Sequence, residues 1–557
     1  MARTRLSLRT AGRPATDVLG SVPFTMRLQR AEGATALLLT LFAVALHLRR
    51  LVSAGPLWRD EAAAFHLATA PTLGEVIARH ESFPPPFFFL LRIWASAFGG
   101  SDAALRTFGL VAGLALLAAL WGGLRQAGGT MPLLGLALVA IHPTVVLYGD
   151  SLRGYGLGTA ALLAACGAFA RLAARPDRRS VLVAGAAAVV SVQLLFLNVP
   201  LLGAIGLAAC GAGIVRRRPA VLLAVAGIGA VAALSLVPWA GSVLATRTWS
   251  VLLHVPLGPR EIFLAMAQTA GSSIPTLGWI WLLAIVAALT PGPSPASGRG
   301  ENDSDKGNDR RVDVRLFALF ALPLAILAQW GFLELLRYPP RPWYFLPVLA
   351  VVAFGLDLRL AGSPHGRGVR LAAAVLAALV LAGPAWSRAR VRMTNMDRVA
   401  AEISAQAAPQ DLVVLSPWHY GVSYERNHRS TARWMTAPEL ADHRIHRFDL
   451  VKEAMARPNA LRGVFQAIKR TLRSGHRVWL VGRLRMPPPG ERAPILPPAP
   501  RPRSGWHEAP YARAWSLQLG AFLRDHAGPG EPVPVGGTGP VHGYENVELR
   551  AYRGWRP

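Results

Sequence analysis

Charge is scarce in this chain, and acid is scarcer than base. Only 16% of its 557 residues are charged, with 31 Asp and Glu against 59 Lys and Arg. With 52% hydrophobic residues and a mean hydropathy of +0.34, the composition excludes a disordered chain and a soluble multidomain protein. Cysteine is rarer still: Cys166 and Cys210 both fall inside apolar runs, and the polar C-terminal stretch has none, so that stretch needs no disulfide framework. The apolar runs lack the period-2 alternation of a membrane barrel. The N-terminus does not read as a standard signal peptide, because its basic stretch is long and the first apolar run is long enough to stay as a helix.

What the chain does have is apolar blocks of bilayer-spanning length. A run of ~20 apolar residues crosses the hydrocarbon core, and only helices or closed barrels satisfy the backbone there. The blocks are 34–52, 103–124, 131–148, 155–171, 181–197, 199–215, 219–240, 275–290, 315–335, 343–358 and 370–386. The expected architecture is therefore an α-helical polytopic membrane protein with about 11 transmembrane helices. Arginine placement orients it. Arg3, Arg5, Arg9, Arg13, Arg27 and Arg30 precede the first span. Four later clusters fall on the same side: Arg171, Arg175, Arg178 and Arg179; Arg216, Arg217 and Arg218; Arg299, Lys306, Arg310, Arg311 and Arg315; and Arg359, Arg367 and Arg370. By the positive-inside rule that side is cytoplasmic. The segments 53–102, 149–154, 241–274, 336–342 and everything after 387 then lie outside. Much of the net charge of +28 is thus juxtamembrane, where it orients helices and meets anionic lipid, and it does not indicate nucleic-acid binding.

Residues 1–33 read as a basic cytoplasmic N-terminus, 34–386 as the membrane domain and 387–557 as an extracytoplasmic C-terminal α/β domain. Residues 291–314, opening Pro-Gly-Pro-Ser-Pro and turning strongly charged, read as a disordered cytoplasmic loop. In the C-terminal stretch, 411–416 and 477–482 read as buried strands, 448–474 and 513–526 as helical, and 487–503 as a proline-rich linker. His419, in Pro417-Trp418-His419-Tyr420, is a candidate glycan contact or simply part of a packed loop. The stretch carries no metal-ligand spacing and no nucleophile motif.

Three outer segments carry chemistry. The long first loop opens with Trp58-Arg59-Asp60-Glu61, an acid pair at a membrane boundary, and continues through His80-Glu81-Ser82-Phe83-Pro84-Pro85-Pro86-Phe87. Three prolines cannot continue a helix, and 71–80 and 87–98 suit short amphipathic helices on the bilayer surface. The second segment is Tyr148-Gly149-Asp150-Ser151-Leu152-Arg153-Gly154-Tyr155, where Asp150 and Arg153 either serve a ligand or pair with each other. The third is Arg341-Pro342-Trp343-Tyr344-Phe345-Leu346-Pro347. Arginine there either binds phosphate bidentately or anchors the interface.

The order of these pieces resembles the GT-C superfamily of polytopic glycosyltransferases, and most nearly its bacterial protein-mannosyltransferase branch, which includes lipid A aminoarabinose transferases. Asp60-Glu61 is similar to that family's Asp-Glu opening of the first outer loop. Phe83-Pro84-Pro85-Pro86 resembles its His-Pro-Pro segment, and Leu105-Arg106 its Leu-Arg element. Residues 148–155 resemble its Tyr-Ser-Gln-Glu-Ala-Arg-x-Tyr stretch, and 341–347 its Arg-Tyr-x-Leu-Pro stretch. Ser82-Phe83 and Gly149-Asp150 depart from the pattern, which bears on donor and acceptor preference more than on reaction type.

The resemblance spans roughly residues 34 to 386 and implies a GT-C-like fold in a bacterial inner membrane. It also implies inverting transfer of a sugar from a polyprenyl-phosphate donor to a hydroxyl of a lipid, glycan or protein acceptor. On that reading Asp60 is the general base, with Glu61 as its support or an acceptor contact. Asp150, Arg153, Tyr155, Arg341, Tyr344 and His80 contact substrate, the arginines meeting charge on the leaving phosphate. No cofactor is demanded, and a divalent metal is compatible with this chemistry without being required by it. A transporter or flippase would instead place ionisable residues within the spans and break helices in paired halves. An O-antigen ligase-like protein would not need the acid pair after the first span, and a non-catalytic lipid-glycan binder is the third alternative.

Overall fold

The computed structural model describes residues 24–78, 83–245, 257–271, 274–290, 304–337, 339–488, 490–499 and 507–557. His80, Tyr338, the arginines before residue 24 and the stretch 291–303 lie outside the described residues. Every expected span is helical. The first is α1 (Phe24–Ser53). The first outer loop then holds α2 (Arg59–Ala68), α3 (Leu73–Ala78) and α4 (Pro85–Phe98), and α5 (Asp102–Gly128) is the second span. The third is interrupted. Short α6 (Leu133–Gly135) loosens into a π turn over Leu136–Ala140 and restarts as α7 (Pro143–Gly149). Pro143, which has no N–H to continue a ladder, sits at the first position of α7, and His142 caps it by accepting from the Thr144 amide at 3.2 Å.

There follow α8 (Tyr155–Ala174), α9 (Arg178–Leu194), α10 (Asn198–Val215), α11 (Pro219–Leu236), α12 (Pro275–Leu289), α13 (Ser304–Leu336), α14 (Leu346–Leu360) and α15 (Pro364–Arg388). Among the described residues eight helices are long and apolar enough to cross a membrane. The other three expected spans are the interrupted α6–α7, α9 with 17 residues and α12 with 15. The expected disordered loop 291–314 is helical over its described part, from Ser304 onward, where α13 begins well before its apolar span.

The arginine clusters do share one end of the bundle, where ion pairs cross-link them. Asp313 of α13 forms ion pairs with Arg216 at 2.6 Å and with Arg218 at 2.8 Å. Glu32, near the start of α1, is bridged by Arg367 and Arg370 of α15. Asp357 of α14 accepts the amides of Leu134 at 3.0 Å and Gly135 at 2.8 Å, satisfying the first turn of α6 inside the bundle. Small residues let helices approach closely. A Cβ on Gly109 or Gly113 of α5 would meet Asp150 at 2.0 or 2.2 Å, and one on Gly167 of α8 would meet Gly123 at 2.5 Å.

The C-terminal domain is a three-layer α/β unit at the other end, beside α2. Its sheet has the order β2-β1-β3-β5-β4, formed by β1 (Leu412–Leu415), β2 (Arg433–Thr436), β3 (Val478–Val481), β4 (Glu531–Pro532) and β5 (Leu549–Tyr552). The first three are parallel, and β5 runs antiparallel to β3. The unbroken apolar runs Leu-Val-Val-Leu and Val-Trp-Leu-Val suit central parallel strands covered on both faces. Leu412 and Val414 pack with α18 (Phe448–Met455), α19 (Arg462–Arg473) and α20 (Glu508–His526). Val413 and Leu415 face α16 (Met396–Gln406) and α17 (Tyr420–Asn427). The chain leaves β1 toward β2 and then crosses to β3 on the other flank, so the topological switch lies at the carboxyl ends of β1 and β3, the usual ligand position of open α/β sheets. Gly482 lets those ends meet: its φ is +113°, and a Cβ there would stand 1.9 Å from the Ser416 carbonyl oxygen.

Removing Glu32 takes the nearest carboxylate from the buried Arg370 guanidinium and leaves it Asp357 at 3.7 Å. Glu32→Ala is expected to lower stability by about 3 kcal/mol, and Arg370→Met by at least as much, because the buried Asp357 then loses its counter-charge as well. Thermal unfolding of the purified chain in nanodiscs checks both.

Candidate active site

The site starts from one turn of helix. Asp60 and Glu61 occupy the first turn of α2, where the helix dipole favours acids. The two carboxylates have opposite fates. Glu61 is 1% exposed, and its oxygens accept from Arg106 at 2.7 Å, from the Leu152 amide at 3.1 Å and from the Trp58 amide at 3.4 Å. Arg106 also donates to the carbonyls of Gly55 at 3.0 Å and Pro56 at 2.6 Å. Gly55 adopts φ +71°, and a side chain there would strike the Arg392 guanidinium. The loop between α1 and α2 is therefore pinned, and Glu61 is what pins it.

Asp60 is the open carboxylate, with a side chain 21% exposed. Its Oδ1 lies 3.6 Å from Arg59 Nε and 3.6 Å from His446 Nε2, and its main-chain carbonyl accepts from Arg153 at 3.1 Å. The Arg153 guanidinium stands 4.4 Å over the Phe83 ring. Tyr155 meets Phe83 edge-on at 5.1 Å and lies 6.3 Å from Trp343 and 6.5 Å from Tyr344. Phe83 opens α4, where Pro84 caps the helix and Pro85 takes its first position. Arg341 is exposed just before Trp343 and makes no ion pair among the described residues.

Asp150 is placed elsewhere. It is buried between α1 and α5, and its partner is His47 at 2.8 Å, not Arg153. Asp60, Arg153, Tyr155, Arg341 and Tyr344 are thus brought together. Glu61 and Asp150 lie behind them as buried supports, and His80 is outside the described residues.

The C-terminal domain supplies what the sequence did not flag. Tyr544 stacks on Trp58 with rings 6.1 Å apart and 13° from parallel. The next residue, Glu545, is 0% exposed and accepts the Arg59 amide at 3.1 Å, while Arg59 Nη1 donates to the Tyr544 carbonyl at 3.2 Å. Burial pushes the Glu545 carboxyl up to about 7, against the pull of Arg59. Arg426 adds a second tie, donating to Asp102 at 2.6 Å. His419, just past the carboxyl end of β1, is half-buried near Arg59, His446 and Arg341, and loss of solvent drives its imidazole well below the usual range. The one available signal for His446 was the dense alternation of His, Arg and Asp over 442–449; Glu545 follows a glycine-rich stretch that carries none.

A largely buried but still accessible carboxylate, with Arg59 at 3.6 Å and Arg153 on its main chain, is suited to accept a proton beside an anionic group. Among the described residues no three His, Cys, Asp or Glu side chains are grouped as metal ligands. The donors around Asp60 do not fit a divalent cation.

No protein-family model and no curated protein matches the chain. Solved structures are similar to it. The crystal structure of ArnT from Cupriavidus metallidurans bound to undecaprenyl phosphate matches over 92% of this chain and 97% of that one, at TM-score 0.50 and 13% identity. An Archaeoglobus fulgidus oligosaccharyltransferase in complex with Zn and sulfate matches over 91% of this chain and 72% of that one, at TM-score 0.48 and 13% identity. The arabinofuranosyltransferase AftD from Mycobacteria matches over 96% and 40%, at TM-score 0.38 and 15% identity. The likeness is one of fold.

Glu545 makes stability depend on pH. Its folded-state carboxyl holds its proton up to about 7 against an ordinary 4.5. Its contribution is therefore present in full below the ordinary value and is lost as pH rises through 7. Thermal unfolding from pH 5 to pH 8 should show the parent losing stability relative to Glu545→Gln. Parallel curves for the two would contradict the burial assigned to this group.

Proposed function

We propose that this chain, which has the GT-C fold, is an inverting glycosyltransferase that moves a sugar from a polyprenyl-phosphate donor to a hydroxyl. The observation that carries the reading is Asp60. It is the open carboxylate at the start of the first outer loop, with Arg59, Arg153 and Arg341 close by. The undecaprenyl phosphate held by the similar ArnT structure supports a donor of that chemical class.

In the proposed reaction Asp60 takes the proton of the acceptor hydroxyl as its oxygen attacks the anomeric carbon. The bond from that carbon to the donor phosphate breaks on the opposite face, which inverts the centre. The departing lipid phosphate gains negative charge, which Arg341 and Arg153 offset. A single displacement needs one carboxylate base, unlike hydrolysis with its paired acids. That matches the sequestered state of Glu61, whose role on this reading is to hold the turn. Tyr344, partly exposed and backed by the buried Tyr155 and Trp343, is the ring of this cluster suited to the face of a sugar.

Sidedness follows from the arginine-rich end. With that end cytoplasmic, Asp60 and residues 387–557 lie outside a bacterial inner membrane, where a donor keeps its tail in the bilayer. The acceptor is a hydroxyl of a lipid, glycan or protein.

Asp60→Asn keeps the volume and removes the base. With radiolabelled polyprenyl-phosphate sugars supplied to membranes, transfer should fall about 10²- to 10⁴-fold. Transfer at the parental rate by a folded mutant would sink the assignment.

A further inference from the structure

We infer that His446, carried by the C-terminal domain, is a positioning residue for Asp60: it donates its Nε2 proton to Oδ1 and turns Oδ2 toward the acceptor hydroxyl. This rests on the reading of Asp60 as the base. Two donors from different domains, Arg59 Nε and His446 Nε2, both come nearest to the same oxygen, each at 3.6 Å. Arg153 holds the main chain of the same residue, so the carboxylate is approached on one oxygen and anchored from behind. A separation of 3.6 Å exceeds a hydrogen bond, as is common for catalytic contacts before substrate closes the site.

The imidazole is built into place. Its ring stacks on Phe448 at 6.0 Å, 19° from parallel, and meets Trp418 edge-on at 6.2 Å. The loop that carries it is stapled by charge: Arg447 pairs with Asp442 at 2.9 Å and Asp449 at 2.6 Å, and Arg444 pairs with Asp442 at 3.2 Å. The charged and titratable groups facing His446 are Asp60, Arg59, Arg153 and His419. Burial first, then the two arginines, hold His446 down at about 4 against the pull of Asp60, so it stays neutral at working pH. Neutrality suits the role. A further cation would weaken Asp60 as a base, whereas a neutral donor orients it with less loss of basicity.

His446→Phe keeps a ring between Trp418 and Phe448 but has no donor, and His446→Gln keeps a donor. Both are made in the full chain in nanodiscs. The first measurement is the pH midpoint of carbodiimide labelling of Asp60, followed by mass spectrometry, which needs no sugar donor. Losing a hydrogen bond to its charged form should raise the midpoint in His446→Phe by roughly half to one pH unit, with His446→Gln at the parental value. The second is transfer of radiolabelled polyprenyl-phosphate sugar, where kcat should fall about tenfold in His446→Phe with KM unchanged, its acid limb moving up, and His446→Gln should recover most of the rate.

A midpoint in His446→Phe equal to the parent's overturns the inference whatever the activity, and so does one that moves equally in His446→Gln. If the midpoint moves only in His446→Phe but the parent transfers no sugar, the contact stands and the proposed function falls. If the parent transfers and the midpoint stays, the inference falls alone.

Discussion

The ion pair between Glu61 and Arg106 fixes the first turn of α2, and the geometry around Asp60 follows from that turn. Both groups are taken almost wholly out of water, which costs several kcal/mol per ion unless every lone pair and proton is met. Here each nitrogen and each carboxylate oxygen has a partner. Glu61 receives a guanidinium and two backbone amides, and Arg106 also donates to the carbonyls of Gly55 and Pro56. Such a network contributes little net stability for its size, but it permits few alternative arrangements. Asp60 projects from a turn that has nowhere else to go.

The second fixed point comes from the far end of the chain. Glu545 accepts the amide of Arg59, one residue before Asp60, and Tyr544 stacks on Trp58, one residue earlier still. The C-terminal domain therefore grips the same turn that Arg106 grips from within the bundle. The segment after β1 brings Trp418 and His419 to that junction, beside His446 and near Arg59.

Much of this was legible in the sequence. The spans could be read because a bilayer demands long apolar runs. The strands at 412–415 and 478–481 announced themselves as continuous apolar runs. What could not be read was partnership. Asp60 and Glu61 are identical in local pattern, and only Arg106 of α5 and the Leu152 amide decide which one is sequestered. Asp150 sits three residues before Arg153, yet its partner is His47, because Gly109 and Gly113 open a seat for it on α5. His446 and Glu545 lie nearly 400 and nearly 500 residues from Asp60, and no short-range signal spans such distances.

The carboxylate of Asp357 has a consequence for how the bundle is made. It accepts the amides of Leu134 and Gly135 from 223 and 222 residues further along the chain. A membrane-inserting segment normally satisfies its own backbone, since hydrocarbon offers no partner. The amides in the first turn of α6 therefore gain this partner only when α14 packs beside them. Packing of the interrupted third span, which ends just before Arg153, depends on a helix near the far end of the membrane domain.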